Sequence, residues 1–372
     1  MFELRGHLTN TQSILLGTMG AILLLLVWWA LAELKSEQVP DVKISSELPS
    51  TLGPDSLTNA LLRDSILRAD SIHVANATSF KKVYPTIPLP LEVMKSYGRL
   101  MRNDDLAGNA VKSVWLTLQG YFWAVVICLP IGFVVGLLPL LRGLFSKPIE
   151  AMRFLPITAL IGVFIIWFGI YDEMKIAFLA FGIIVFLLPA VIQRIDEVEE
   201  VFLQTVFTLG ATDWQTVKTV YIPAVMSKLI DDIRVLTAVS WTYIIITEYI
   251  NKDGGLGALI YIKRRLLQMP DMFAIILLII LIGFLQDRVF VYLGRRLFPF
   301  RFYKTLLPGN TEVRYGIWML LAIFAVGALS KWLLPGINIG TPTLIAAIAA
   351  VVFIGYGEYK IQAALRQQRV EN

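Results

Sequence analysis

The residues best suited to binding another molecule lie in one polar stretch, residues 204–223, which separates two long apolar segments. Gly210 is expected to end a helix, and Pro223 to end a short second helix over residues 212–220. Asp213 would cap or favour the start of that second helix, where the helix dipole prefers negative charge. A short helix held at a membrane surface can dock into a groove on a soluble partner. The stretch is therefore predicted to bind another protein.

An apolar stripe within this stretch supports the docking interpretation. Trp214, Val217 and Val220 recur at helical spacing. The alternative is an ordinary loop between helices, in which Gly210 and Pro223 serve only to end them.

A second set of candidate residues lies inside apolar segments. Glu248 is an acid in such a segment, where a charge is costly and often functional. Trp241 precedes it by seven residues and shares its helical face. An interfacial glutamate and a packing tryptophan are the structural alternatives. The residues predicted to line a pathway through the membrane are Trp167, Trp241, Thr242, Thr247 and Glu248.

The sequence shows no motif for catalysis or metal binding. His7 and His73 lack metal-ligand spacing, and the single cysteine, Cys128, lies in an apolar run. The chain has no Gly-rich loop followed by Lys-Ser/Thr for binding phosphates. It is therefore predicted to be no enzyme and to bind no cofactor.

Composition predicts an all-α integral membrane protein. Of the 372 residues 56% are hydrophobic and 16% are charged, and the mean hydropathy is +0.68. Soluble domains carry about a quarter charged residues. Apolar runs of about 20 residues cross a bilayer as helices, whose backbone hydrogen bonds are satisfied internally. About eight spans are predicted: residues 14–32, 114–140, 154–170, 176–192, 236–250, 273–293, 315–334 and 341–356.

The distribution of basic residues predicts the topology. Most Lys and Arg of the short loops fall on one side if both termini are cytoplasmic, which also places residues 204–223 in the cytoplasm. The net charge of +5 is therefore attributed to topology, and nucleic acid is not expected as a partner. The cluster Lys263, Arg264 and Arg265 is the exception on the outer side and is compatible with an anionic ligand.

Other segments carry structural expectations. The polar residues 38–88 would form an outer insertion with a small helix at 56–72, either a passive loop or a partner-binding module. Residues 91–106 would form an amphipathic surface helix. Its predicted apolar side comprises Val93, Met94, Tyr97, Leu100 and Met101, and its basic side Lys95, Arg99 and Arg102.

Two further contacts are predicted in the second half of the chain. Asp287 is expected to pair with its neighbour Arg288 near the end of a span. Close packing of the last two spans is predicted from the glycines Gly316, Gly327, Gly336 and Gly340.

The polar stretch resembles the cytoplasmic coupling loop of ABC-importer permeases. Leu209, Gly210, Ala211, Trp214 and Pro223 match that motif, whereas Gln204-Thr205-Val206 stands where it opens with Glu-Ala-Ala. The resemblance extends over residues 87–300 and is to the nitrate/sulfonate/taurine branch. It is also carried by Arg153, Pro156, Ala159, Trp167, Phe168, Gly169, Lys175, Arg234, Trp241, Glu248, Gly255, Leu256 and Gly257.

This resemblance implies a type I importer permease subunit of the cytoplasmic (inner) membrane. Residues 1–35 would hold the first span, 36–90 the extracytoplasmic insertion, 91–300 the permease core, and 301–372 two extra C-terminal spans and a cytoplasmic tail. The residues implied in ATPase coupling are Gln204, Leu209, Gly210, Ala211, Thr212, Asp213, Trp214, Val217 and Pro223.

The implied partners follow from the same resemblance. A dimer of ATP-binding cassette subunits would hydrolyse ATP with Mg²⁺, and an extracytoplasmic binding protein would deliver a small anion such as nitrate, a sulfonate or taurine. Two copies of the chain would form the pathway within membrane lipid.

Two other classes of function stay open from the residues alone. An ATP-independent carrier or channel would use the loop only structurally. Against it, the sequence shows no inverted repeat or matching pair of broken helices. A membrane scaffold would bind its partner through the outer insertion.

Overall fold

The computed structural model describes residues 9–40, 80–302, 308–333 and 340–371. These residues form helices and one two-stranded antiparallel sheet. The helices are α1 Asn10–Leu34, α2 Pro90–Asn103, α3 Leu106–Leu137, α4 Pro139–Ala151, α5 Ile161–Phe168, α6 Asp172–Asp196, α7 Glu200–Thr208, α8 Asp213–Thr216, α9 Ile222–Asn251, α10 Leu256–Arg265, α11 Met269–Leu297, α12 Asn310–Leu333 and α13 Gly340–Glu371. The strands are β1 Glu37–Pro40 and β2 Phe80–Val83.

The all-α membrane class is confirmed. Among the residues that the structure describes, six helices are long and apolar enough to cross a membrane: α1, α3, α6, α11, α12 and α13. A seventh candidate is a broken span, Pro139–Phe154 followed by Ile157–Phe168, with a bend of 90°. The predicted fifth span, residues 236–250, lies within α9, which is not among the six. The eight predicted spans are thus roughly consistent with the structure.

The chain divides into two compact units, the first comprising residues up to Asp105 together with Ile262–Ile276. In this unit β1 pairs with β2, with Glu37 opposite Val83, which brings together the two ends of the segment predicted to be an insertion. The Trp28 indole N–H donates to the Pro88 carbonyl at 3.1 Å. The helix predicted at residues 56–72 lies outside the described residues.

Helix α2 confirms the predicted helix but only part of its predicted apolar side. Val93, Ser96 and Leu100 are buried. Met94 and Met101, which were predicted on the same apolar side, are exposed instead. The helix therefore has two apolar surfaces, one packed on protein and one exposed.

The second unit comprises Leu106–Tyr261 and the residues from Leu277 onward. Its core forms where α3 packs along α6 and α6 packs on α9. These helices are apolar over most of their surface, as expected for membrane spans, so they can bury one face and leave another towards lipid. Buried core residues include Ala124, Cys128, Phe178, Leu187, Val191 and Val225.

The C-terminal helices α12 and α13 pack closely on each other. A Cβ at Gly316 would lie 2.9 Å from the Ala350 carbonyl oxygen, which supports close packing at this predicted glycine. Gly327 has open space around it, so the prediction is wrong there. Gly340 is the first residue of α13, and Gly336 lies outside the described residues.

Polar contacts tie α13 to α11. Glu358 accepts hydrogen bonds from the Tyr292 hydroxyl at 2.7 Å and from Arg296 at 2.6 Å. The salt bridge of Asp287 is with Arg234, not with Arg288 as predicted. The Arg288 guanidinium lies 4.8 Å from the centre of the Phe284 ring. Residues on neighbouring helices thus displace the predicted partner, which is adjacent in sequence.

Candidate functional site

The predicted docking loop forms two short helices around Gly210. Helix α7 ends at Thr208, and Gly210 has a φ of +72°, a left-handed conformation that glycine adopts without steric cost. Thr212 caps α8: its hydroxyl accepts from the Gln215 amide at 3.4 Å, and the Gln215 side chain accepts from the Thr212 amide at 2.8 Å. Asp213 is therefore the first helical residue and not the cap, which corrects one of the two predicted roles.

The predicted helix end at Pro223 is wrong. After α8 the backbone continues through a π-helical turn, Val217–Tyr221, directly into α9, and Pro223 is the second residue of α9. Proline lacks an amide donor and clashes with the carbonyl four residues earlier. A wider turn immediately before it accommodates both effects. Helices α8 and α9 are consequently one continuous rod.

The surface of this loop is apolar and exposed. Phe207, Leu209 and Trp214 are 81%, 80% and 70% exposed, and we call these three residues the loop patch. Val217 and Val220 are half-buried, so the predicted stripe contributes only Trp214 to the patch. Phe207 was missed by the sequence analysis, although a large apolar residue at the end of a short helix in a polar stretch could have indicated it. Gln204, Thr212 and Asp213 are exposed beside the patch, and Ala211 and Pro223 are half-buried.

An ion-pair cluster at the base of the loop connects helices α6 and α9. Arg194, at the end of α6, forms two parallel hydrogen bonds with Asp232 of α9, at 2.8 and 2.7 Å. Arg194 also donates to Glu197 at 2.6 Å, and Lys228 lies 3.3 Å from the same carboxylate. The hydrogen bond from Arg194 holds the pKa of Glu197 below its usual range. The cluster joins the helix that enters the loop to the helix that leaves it.

Glu248 is fully buried in a hydrogen-bonded turn. Its two carboxylate oxygens accept from the Ser113 hydroxyl, at 2.7 and 2.9 Å, and one also accepts from the Gly257 amide at 2.9 Å. The Leu256 amide donates to the Ser113 hydroxyl at 2.9 Å. Glu248 thus joins α3 and α9 to the start of α10, and its carboxylate does not face an open passage.

The other predicted pathway residues of α9 differ in exposure. Trp241 is buried, and its indole N–H donates to the Gln286 side chain at 3.1 Å. Thr247 is buried and donates to the Ile244 carbonyl at 2.8 Å. Thr242 is exposed. Trp241, Thr247 and Glu248 therefore lie on buried faces of α9, where they contact other parts of the chain. Thr242 lies on an exposed face.

Trp167 lies in a groove with an apolar lining. It is 70% exposed and borders a cavity of about 370 Å³. Trp123, Phe164 and Phe181 line the same cavity. Its aromatic walls could accept apolar parts of a solute, of lipid or of another chain.

One member of the predicted anion cluster, Lys263, is paired within the chain. Lys263 is nearly buried and pairs with Asp104 at 2.7 Å and with Asp271 at 3.4 Å. Arg99 also pairs with Asp271. Arg264 is exposed, as is Arg265. Lys263 is thus engaged within the chain by two carboxylates, of which Asp104 is distant in sequence and Asp271 is near.

Within the described ranges, no group of three or more His, Cys, Asp or Glu residues is placed to hold a metal ion.

Comparison with known proteins places these features in a family context. Residues 128–299 match the family described as binding-protein-dependent transport system inner membrane component. The chain is 25% identical over 211 residues to a probable ABC transporter permease protein of Brucella melitensis biotype 1, covering 57% of this chain and 86% of that protein. It is 29% identical over 178 residues to the taurine transport system permease protein of Escherichia coli K12, covering 48% and 65%. It is 23% identical over 215 residues to a putative aliphatic sulfonates transport permease protein of Bacillus subtilis 168, covering 58% and 78%.

Proposed function

Because these similarities support an ABC importer permease of the taurine and sulfonate branch, we propose that the chain couples ATP hydrolysis by a separate subunit to solute movement. The observation that carries the proposal is the exposed loop patch on a rod continuous with α9. An exposed apolar surface of this kind is typical of a protein interaction site. The partner is an ATP-binding cassette subunit, which binds and hydrolyses ATP with Mg²⁺.

The mechanism follows from the rigidity of the loop. A partner that moves Trp214 moves α8, and the π-helical turn transmits that motion to α9. The hydrogen bonds of Arg194 with Asp232 carry the same motion to α6. Two ATPase subunits, each gripping one loop, would switch the pathway between outward and inward openings.

The proposed solute is a small anion of the sulfonate, taurine or nitrate type. The proposal is supported by relatives named for taurine and for aliphatic sulfonates. Trp167 and Thr242 are the predicted pathway residues that a solute could reach. Trp241, Thr247 and Glu248 would act by holding α9 in place.

The complete importer would contain two copies of this chain, because one chain supplies one half of a pathway. A soluble binding protein outside the membrane would deliver the solute. Both termini would be cytoplasmic, so that the loop meets the ATPase on that side.

Purification in mild detergent, followed by mass spectrometry, tests this assignment. We expect the chain to retain a P-loop ATPase in stoichiometric amount. Trp214→Ala should release most of that subunit, whereas Trp29→Ala, at a comparably exposed tryptophan of α1, should retain it. A chain that purifies alone, also with nucleotide trapped, would exclude the coupling role.

A further inference from the structure

Two charged residues of α9 pair with two different helices. Asp232 accepts two parallel hydrogen bonds from Arg194 of α6, at 2.8 and 2.7 Å. Arg234 donates two parallel hydrogen bonds to Asp287 of α11, one of them at 3.2 Å. Asp232 and Arg234 lie on opposite sides of α9, because two helical positions correspond to a rotation of about 200°. A guanidinium that binds both oxygens of a carboxylate fixes orientation as well as distance, so α9 is oriented against both neighbours.

Further polar contacts connect α9 to α11 and to the turn that follows α11. The Trp241 indole N–H donates to the Gln286 side chain of α11 at 3.1 Å. In the turn after α11, Arg301 donates to the Ser227 carbonyl at 2.8 Å and pairs with Asp231. The contacts between Ser227 and Trp241 extend over about 20 Å of α9, at 1.5 Å per residue. They hold α11 at three levels along α9.

Helix α9 packs more closely on α6 than on α11. The backbones of α6 and α9 are in extensive contact, whereas those of α9 and α11 show no comparable contact among the residues that the structure describes. A Cβ at Gly182 of α6 would lie 2.7 Å from the Tyr243 ring of α9, but a Cβ at Gly283 of α11 would lie 3.8 Å from the Trp241 indole. Packing alone is therefore enough for α6 to follow a movement of α9. For α11, the polar side chains between the two helices have to make the connection.

The pair of Arg234 and Asp287 is better suited to positioning helices than to stabilising the fold. The two side chains are 39% and 31% exposed. Ion pairs of this accessibility contribute little to the free energy of unfolding. Asp287 nevertheless lies within α11, which is a candidate membrane span, and ionisable residues in spans are costly and often functional.

We propose that Arg234 makes α11 move together with α9 when an ATPase drives the loop. The inference rests on the proposed function and adds α11 to the part of the chain that moves. The loop is continuous with α9, α6 follows α9 through close packing, and α11 follows through the hydrogen bonds of Arg234 with Asp287. Arg234 is a positioning residue, because it acts through Asp287. The three helices then change position as one rigid body.

Spin labels test this inference without knowledge of the natural solute. In a Cys128→Ala background, a single label is attached to α9 through Val239→Cys or to α11 through Leu281→Cys, both at exposed positions. The importer with its bound ATPase is reconstituted in phosphatidylcholine nanodiscs. Pulsed electron paramagnetic resonance then measures the distance between the labels of the two copies, without nucleotide and with ATP trapped by vanadate. Both distances are expected to change on trapping, because both helices move.

Substitutions of the pair should separate the two movements. With Arg234→Ala or Asp287→Ala, the distance between the α9 labels should still change on trapping, whereas the change between the α11 labels should be lost. Combining Arg234→Asp with Asp287→Arg restores an ion pair of reversed polarity and should restore the movement of α11. Arg142→Ala is the matched control, because Arg142 forms a comparably exposed ion pair with Asp196 between α4 and α6. It should leave both movements unchanged.

Several outcomes would overturn the inference. A constant distance between the α11 labels in the unsubstituted protein would show that α11 is outside the moving part. A movement of α11 that persists in Arg234→Ala and Asp287→Ala would show that another contact carries it. Loss of both movements in Arg234→Ala, without recovery in the reversed pair, would mean that Arg234 only supports the fold. Failure of the proposed function is recognised separately, because the ATPase is then not retained or the α9 distance stays constant with the ATPase bound.

Discussion

Two glycine-containing turns of the second unit serve opposite purposes. Gly210, with φ of +72°, has no atom within 4 Å of the position that a Cβ would take. Gly255, with φ of +94°, would place a Cβ on the Glu248 carboxylate, and a Cβ at Gly257 would overlap the Ile245 carbonyl oxygen. The first turn needs glycine only for its backbone conformation. The second also needs the absence of a side chain, because there is no room for a Cβ atom. The turn at Gly210, which presents an exposed surface, has free space around it. The turn at Gly255 and Gly257, which holds helices together, is closely packed.

The hydrogen bonds of the two regions differ in the same way as the space around their glycines. Around Glu248 the hydrogen bonds close on one another through Ser113 and Gly257, out of contact with solvent. Around Gly210 the hydrogen bonds are local caps, and the apolar side chains Leu209 and Trp214 remain free. Rigidity near the loop is provided at its base, by Arg194 and its partners.

The strongest test of this difference adds a methyl group to the closely packed turn at Gly257. Gly257→Ala should destabilise the protein by about 3 kcal/mol or more, because the rigid Ile245 backbone cannot move aside. Thermal unfolding of the detergent-purified protein measures the loss. Gly20→Ala, in the open interior of α1, is the matched control and should be neutral or slightly stabilising. Equal unfolding temperatures for the two variants would contradict the packing argument.

Removing the buried carboxylate should have the next largest effect. Glu248→Ala leaves the Gly257 amide and the Ser113 hydroxyl without their acceptor, at a cost of about 1–3 kcal/mol. Ser113→Ala should cost less alone, and the two should be coupled in a double-mutant cycle of unfolding free energies. Additive effects would mean that the pair is not a unit. Glu92→Ala, at an exposed acid of α2, is the control for loss of a glutamate.

Substitution of the open glycine should act on coupling more than on the fold. Gly210→Ala carries the left-handed backbone penalty of about 1–2 kcal/mol, confined to the end of α7. Gly210→Asp should lower the unfolding temperature less than Gly210→Ala, because Asp tolerates the left-handed conformation better. It should nevertheless lose ATPase-driven transport, since it adds a charge beside the loop patch. Transport assays in proteoliposomes with the co-purified ATPase decide this. Normal transport with normal ATPase stimulation would show that the loop is not the coupling element.

The smallest expected effect is a pH dependence at the base of the loop. Arg194 lowers the pKa of Glu197, so the stabilisation is full above the ordinary value of 4.5 and is lost as the pH falls through the lower folded value. Glu197 is about one-third exposed, and we expect less than about 1 kcal/mol. Glu197→Gln should flatten the acid side of the unfolding profile. An unchanged profile would indicate that other carboxylates determine acid stability.

Local sequence patterns predicted the candidate site only in part. They identified the exposed loop, Trp214 and the helix end near Gly210, because these depend on residues a few positions apart. They failed at Pro223, where the widened turn lets the helix continue. They could not find the pairing of Lys263 with Asp104, because these residues are over 150 positions apart and a local pattern relates only residues close in sequence.

The membrane class, the approximate number of spans and the position of the loop could be predicted from the sequence, because apolar length and helical spacing are properties of single segments. Which polar side chains are buried and which are exposed depends on how the helices pack. Ser113 and Glu248 meet across 135 positions of sequence, and Arg194 and Asp232 meet across 38. Such pairings arise when helices pack, since packing alone brings distant charges within hydrogen-bonding distance.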